Sequence, residues 1–255
     1  MRNAKQSYPS KPADRMGQLS ANLITYHNPK SPAAEAFRSL RTNVGFANID
    51  TPLKMIVVTS PSPNDGKTTV ATNFAITMAK MDKRVLMVDC DLRKPKLHRA
   101  FGLSNDVGLT HILTDMVFKD YPADNVVKPV LEIDHLWVIT SGFIPPNPTE
   151  VLSSKKMENF LYTVKEKYDI VILDTPPVSN LSDAAIVGKR ADGVLLVLAS
   201  GQTEIETAIH AKKALMNVDA NIIGAVLTKL EKGSGSRYYY YRYSNYRYYE
   251  DGNGE

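Results

Sequence analysis

The sequence predicts an α/β fold, a doubly wound and mostly parallel sheet flanked by helices, on three observations. Six short apolar segments alternate with helix-like stretches. One of them runs through a Gly-Lys-Thr turn directly into a helix, and two others end in aspartate. Strands apolar along their whole length belong in a sheet covered on both faces, the arrangement that β-α-β units build. Ligands of such sheets gather at the C-terminal ends of the strands. At 255 residues and 43% hydrophobic content the chain suffices for one large domain. That domain is expected over 31–230, between a flexible N-terminal segment, 1–30, and a flexible tail, 231–255.

Residues 1–30 are polar and hold five Lys or Arg against one Asp. A solvated basic end accounts for this better than attraction to anionic lipid or nucleic acid does. A helix follows over SPAAEAFRSLRTNVGF, with Ser31 as N-cap, Pro32 at the first helical position and Phe37, Leu40 and Val44 on one stripe. The strands are MIVVTS (55–60), RVLMVD (84–89), LWVIT (136–140), DIVILD (169–174), GVLLVLA (193–199) and NIIGAVLT (221–228). Helical stretches lie near 67–81, 149–167, 182–190 and 203–217. No apolar run approaches the roughly 20 residues of a membrane helix. The N-terminus carries no apolar signal core, so a cytoplasmic location is expected. The single cysteine, Cys90, excludes a disulfide framework and reads as a small buried filler.

Strand 55–60 opens into PSPNDGKTT and then a helix. A phosphate-binding loop needs this context, because backbone N–H groups and a helix N-terminus then face the phosphates. The nucleotide cradle is expected to comprise Pro63, Asn64, Asp65, Gly66, Lys67, Thr68 and Thr69. Gly66 lets the backbone approach the oxygens, Lys67 neutralises the β and γ phosphates of ATP, and the Thr68 hydroxyl ligates Mg²⁺. Pro61 stands where the usual first glycine of the motif would be. The fold class becomes a P-loop NTPase.

Two strands end in acid. In RVLMVDCDLRKP, alternation puts Asp89 and Asp91 on one face and Cys90 on the other. The pair suits a hydrated Mg²⁺, or one metal contact plus one general base; the plainer alternative is that one of them caps the following turn. In DIVILDTPP, Asp174 is placed to hold a water on the Mg²⁺, and its Thr-Pro-Pro loop could respond to the γ-phosphate. Arg93, Lys94, Lys96 and Arg99 form a basic cluster after Asp91 that reads as a solvated face.

Eight of the thirteen tyrosines lie in the tail: Tyr238, Tyr239, Tyr240, Tyr241, Tyr243, Tyr246, Tyr248 and Tyr249. They follow Gly-Ser-Gly-Ser (233–236) and are interleaved with Arg, Ser and Asn, so no apolar face forms.

With these motifs the chain resembles the bacterial tyrosine kinases that accompany capsule and exopolysaccharide synthesis, from about residue 31 to 230 and again in the tail. The resemblance rests on the proline-containing loop SPSPNDGKTT, the acidic motif LMVDCDLR, the strand IVILDTPP, the stretch SGFIPPNPTEVLSS and the terminal tyrosine cluster. It implies a P-loop ATPase fold with protein-tyrosine kinase activity. Lys67, Asp89 and Asp91 would be catalytic, and Thr68, Asp89, Asp91 and Asp174 would hold Mg²⁺. One of Asp89 or Asp91 would take the phenol proton, and the eight tail tyrosines would be the acceptors. The family's E-x-x-R-x-x-R helix, here Glu35, Arg38 and Arg41, implies a ring-like homo-oligomer in which the tail enters a neighbour's site. It further implies a transmembrane activator that recruits the protein peripherally to the plasma membrane, and protein substrates such as sugar-nucleotide enzymes. DNA-partitioning and division-site ATPases, the rival reading, carry an early loop lysine where Ser62 stands. Such folds often place an Asn before Lys at the end of the last strand, where Thr228 precedes Lys229 here. A nucleic-acid-binding role for the tail is disfavoured by its zero net charge, three Arg against three acids over 237–255, so no nucleic acid is expected.

Overall fold

Runs of valine, isoleucine and leucine give the strands their pairing surfaces, and the computed structural model assembles them into one seven-stranded sheet. It describes residues 18–47, 52–114, 126–179 and 181–230. The strands are β1 (Met55–Thr59), β2 (Val85–Asp89), β3 (Lys128–Pro129), β4 (Leu136–Ile139), β5 (Ile170–Asp174), β6 (Gly193–Ala199) and β7 (Ile222–Thr228), in the order β3-β4-β2-β5-β1-β6-β7. All six expected strands are present and pair parallel with one another. The seventh, β3, pairs antiparallel with β4 at the edge. Two residues, one of them proline, leave no periodicity to read, and proline is tolerated only where no ladder bond is required of it.

The helices are α1 (Ile24–His27), α2 (Pro32–Phe46), α3 (Lys67–Ala79), α4 (Leu97–Ala100), α5 (Leu109–Leu113), α6 (Pro148–Ser153), α7 (Lys155–Lys167), α8 (Asp183–Gly188) and α9 (Ile205–Met216). The Ser31 hydroxyl caps α2 by accepting from the Ala34 N–H at 3.1 Å. The helix expected over 149–167 is two helices. Ser154 between them is extended (φ −62°, ψ 157°), and its hydroxyl accepts from the Met157 N–H at 3.2 Å, so one residue ends α6 and starts α7. The single turns α1, α4 and α5 escaped the sequence reading because four or five residues carry too little periodicity.

Alternate residues of the central strands feed two cores. Met55, Val57, Leu86, Val88, Val171 and Leu173 pack with Leu161 and Val164 of α7, Val187 of α8 and Leu215 of α9. Ile56, Val58, Met87 and Ile172 pack with Phe74, Ala75 and Ile76 of α3 on the other face. Cys90 lies in the first core and is fully buried, as a small filler would.

The flexible segment expected over 1–30 does not reach residue 30. Residues 18–30 fold onto α3, with Leu23 fully buried. The link is polar, which hydrophobic periodicity does not reveal. Asn73 of α3 accepts from the N–H and the hydroxyl of Thr25, both at 2.9 Å. Its amide donates to the carbonyls of Asn22 at 2.8 Å and Thr69 at 2.9 Å. Substituting Asn73→Ala leaves buried partners unsatisfied and should cost about 2–4 kcal/mol in urea denaturation. A loss under half a kcal/mol would show that α1 contributes nothing to the fold.

Candidate functional site

The strand order brings the polar groups together. Asp174 ends β5, the central strand, between β1 and β2; it lies opposite Asp89 in one ladder and opposite Val58 in the other. The loop between β1 and α3 therefore opens directly beside both acidic strand ends.

That loop turns on two left-handed residues, Asn64 (φ 67°) and Gly66 (φ 100°). Gly66 has a second reason to lack a side chain: a Cβ there would sit 3.3 Å from Thr228 Cγ2. Asp65 is buried and ties the loop from within. Its carboxylate accepts from the Ser62 N–H at 2.8 Å and from the Thr203 hydroxyl at 3.1 Å. The Thr228 hydroxyl donates to the Asp65 carbonyl at 2.6 Å. The residue standing where related folds carry an adenine-reading asparagine thus braces the phosphate loop. Pro63, Asn64 and Thr69 are exposed, while Thr68 is half-buried on the first turn of α3.

Lys67 is buried, and its Nζ lies 3.1 Å from Asp91 and 3.3 Å from Asp174. The Thr68 hydroxyl donates to the other Asp174 oxygen at 2.7 Å. Burial pulls the Lys67 ammonium pKa down, but the carboxylates of Asp174, Asp91 and Asp89 together outweigh it and hold the pKa above the ordinary lysine value. Burial, opposed by Lys67 and Thr68, raises Asp174. Asp89 is pushed up to about 7, first by complete burial and then by the Asp174 charge. The Cys90 thiol beside them is pushed well up, by burial and then by the same acids.

The two acids of the second motif divide their roles. One Asp89 oxygen accepts the N–H groups of Lys96 and Leu97, both at 3.0 Å, and the other accepts the Asp91 N–H at 3.2 Å. Asp89 thus caps the turn into α4, the plainer alternative, and still lies within the carboxylate cluster. Asp91 faces Lys67 and also accepts the Lys94 N–H at 2.9 Å. Arg93 departs from the solvated face expected for the basic cluster: its Nε lies 2.7 Å from the fully buried Asp183 carboxylate. Lys94, Lys96 and Arg99 are exposed as expected.

The stripe Glu35, Arg38 and Arg41 is half-buried on α2. Arg38 Nε donates to Glu35 at 2.7 Å and its Nη1 to the Pro29 carbonyl at 2.9 Å, while Arg41 donates to the Thr77 carbonyl at 3.0 Å. All eight tail tyrosines lie outside the described residues.

The donor set fits a magnesium nucleotide. A left-handed glycine at the start of α3 leaves the loop backbone open to phosphate, beside a lysine held among acids. Among the described residues no three His, Cys, Asp or Glu form a metal cage of their own. Mg²⁺ does not require one, since it takes one or two hard protein oxygens and completes its shell with waters and substrate phosphates. Thr68, Asp91 and Asp174 offer such oxygens. Sequence reasoning missed Thr203, Asp183 and Thr149 and named Thr228 only as a departure from an asparagine pattern, because such hydroxyls and acids acquire meaning only from what they face.

A family model described as AAA domain matches residues 53–222. The tyrosine-protein kinase YwqD of Bacillus subtilis (strain 168) is 43% identical over 228 residues, 89% of this chain and 94% of that protein. The putative tyrosine-protein kinase CapB of Staphylococcus aureus is 31% identical, over 86% of this chain and 94% of that protein. Etk of Escherichia coli (strain K12) is 35% identical, with this chain spanning only 29% of its length. The solved kinase domain of Escherichia coli ETK superposes with a TM-score of 0.78 at 33% identity, covering 87% of each chain. The chimerical protein CapA2B2 gives 0.79 at 35% identity, covering 84% of this chain and 92% of that one. Sheet order, phosphate loop, acidic strand ends and these relatives agree, and the chain belongs to the bacterial tyrosine kinases of the capsule and exopolysaccharide type: it is a protein-tyrosine kinase with a P-loop NTPase fold.

Proposed function

We propose that this kinase transfers the γ-phosphoryl group of ATP to the tyrosines of its own terminal cluster, in trans within an oligomer, and so regulates capsule or exopolysaccharide synthesis. The observation that carries the reading is the Lys67 ammonium held between Asp91 and Asp174 beside the Thr68 hydroxyl, in a chain ending in eight tyrosines.

In this reading residues 63–69 cradle the phosphates through their N–H groups. Lys67 leaves its carboxylates to neutralise the β and γ oxygens, which stabilises charge where it develops. Thr68, with Asp91 and Asp174 and with Asp89 behind them, holds Mg²⁺, which when bound would draw charge off the transferring group. Asp89 accepts the phenol proton. Its Oδ1 carries only the one long bond from Asp91, which leaves a lone pair for the proton. Because a phenol titrates near 10, the proton leaves late in the transfer.

A Gly-Ser linker joins the cluster to the body, so tethering sets the local phenol concentration at roughly millimolar and weak intrinsic recognition suffices. Glu35, Arg38 and Arg41, half-exposed on α2, supply polar contacts between subunits. Each phosphate adds about −1.5 to −2 charges to a tail that starts neutral, so multiple phosphorylation repels the tail from the acidic site and loosens the oligomer. A membrane-anchored activator at the nucleotide site, recruiting the protein to the inner membrane face, and sugar-nucleotide enzymes as further substrates complete the proposal.

Three outcomes are expected. Purified protein given Mg-ATP, with an activator fragment, acquires phosphotyrosine within 238–249 by mass spectrometry, and Lys67→Met abolishes it; ATP hydrolysis with no phosphotyrosine would overturn the reading. Light scattering gives a larger mass for dephosphorylated than for phosphorylated protein, and Arg38→Ala with Arg41→Ala lowers the former; equal masses throughout contradict the oligomer. The third concerns Asp89 in metal-free protein. Its folded pKa stands above the unfolded value of 3.8, so between about pH 4 and 7 the folded state holds a proton that the unfolded state has lost. The stability this confers is complete below pH 4 and disappears as pH rises through 7. Against Asp89→Asn, the parent should lose on the order of a few kcal/mol across that window and nothing beyond it; a difference independent of pH would refute the assignment.

A further inference from the structure

The fully buried Asp183 carboxylate plays no part in phosphate or metal binding as described above, yet it anchors three segments at the site's edge. Arg93 of the β2–α4 loop places its Nε 2.7 Å from Asp183 Oδ2 and its Nη2 3.4 Å from Oδ1. Thr149 of α6 donates from its hydroxyl to Asp183 Oδ1 at 2.6 Å and accepts from Arg93 Nη2 at 3.0 Å. Asp183 itself opens α8, nine residues after Asp174. The cluster therefore joins the loop carrying Asp91, the start of α6 after SGFIPPN, and the end of the loop that leaves Asp174.

We infer that Arg93, through its bridge to Asp183 and Thr149, is a positioning residue that keeps Asp91 in register with Asp174 around Lys67. The loop from Cys90 to Lys96 is held at its start, where the Cys90 N–H donates to the Asp174 carbonyl at 2.8 Å and Leu92 is fully buried. Asp89 receives the N–H of Lys96 and Asp91 that of Lys94, both from within the same turn. Neither fixes the turn relative to the β5–α8 side of the site. Past Cys90, the Arg93 guanidinium is the side chain that carries this loop across to Thr149 and Asp183. It meets a fully buried carboxylate as a two-toothed fork, the geometry that holds orientation as well as charge. Groups that orient metal-facing carboxylates from one step behind commonly govern metal affinity and turnover by about 10- to 100-fold without touching substrate.

The inference rests on the proposed roles of Asp91 and Asp174, and two readouts separate its failure from theirs. In the full chain, removing Arg93 alone strands a buried carboxylate, so the variant of choice is Arg93→Met with Asp183→Asn, which removes both charges; Arg93→Lys keeps the charge and loses the fork. Autophosphorylation by the double variant, normalised to the folded fraction of each preparation, should show kcat lowered about 10- to 100-fold with the ATP KM within about 3-fold. Arg93→Lys should fall between. Binding of a fluorescent ADP analogue should be unchanged in EDTA, while the half-saturating Mg²⁺ for its tightening rises at least about 5-fold. Parent-like kcat and Mg²⁺ dependence in the double variant would overturn the inference. So would a drop in rate matched by the same drop in folded fraction. If the parent protein makes no phosphotyrosine, the kinase reading fails instead, and the Mg²⁺ titration still decides the bridge.

Discussion

One buried ammonium among buried carboxylates organises this molecule. Isolated, each of Lys67, Asp89, Asp91 and Asp174 would be costly to hold away from water. Together they offset one another only in part, since three acids surround one base. Burial first, and the neighbouring carboxylates after it, push the proton affinities of Asp89 and Asp174 up. In the proposed reading, a magnesium ion would offset the surplus negative charge of the carboxylates and the lysine would turn to the phosphates. The apolar sheet supplies the rigid frame: the same ladders that bury Val58, Val88 and Leu173 bring the acids beside the loop.

Around that centre the chain spends hydroxyls and short loops on keeping strands and turns in register. Asp65 and Thr228 hold the phosphate loop from below. Asn73 ties the N-terminal turn to the helix that begins at Lys67. Arg93, Thr149 and Asp183 join the far side. Buried groups that are fully satisfied specify a single arrangement, because any alternative leaves some of them unpaired. Such a frame suits phosphoryl transfer, in which positioning and charge do most of the work.

The tail stands in a different physical regime. Its tyrosines come in runs and pairs broken by arginine, serine and asparagine, a composition that offers no apolar face to bury. In the proposed reading the body supplies a phosphate donor site and the tail a high local supply of phenols. Each phosphate added there would bring about −1.5 to −2 charges.

The sheet, the phosphate loop and the two acidic strand ends were legible in the sequence because each is encoded locally. Continuous apolar runs of five to seven residues can be little else between helical stretches, and Gly66-Lys67-Thr68 between strand and helix has a direct physical reading. The tertiary structure decided which aspartate does what. Only the strand order shows Asp91 facing Lys67 while Asp89 caps a turn, and only the fold turns Arg93 from a surface charge into the partner of a buried acid. It also separated α6 from α7 at Ser154 and attached residues 18–30 to α3. The reason is the same in each case. Hydrophobic pattern is a property of a segment, whereas the worth of a polar side chain depends on partners up to 163 residues away, as between Thr228 and Asp65.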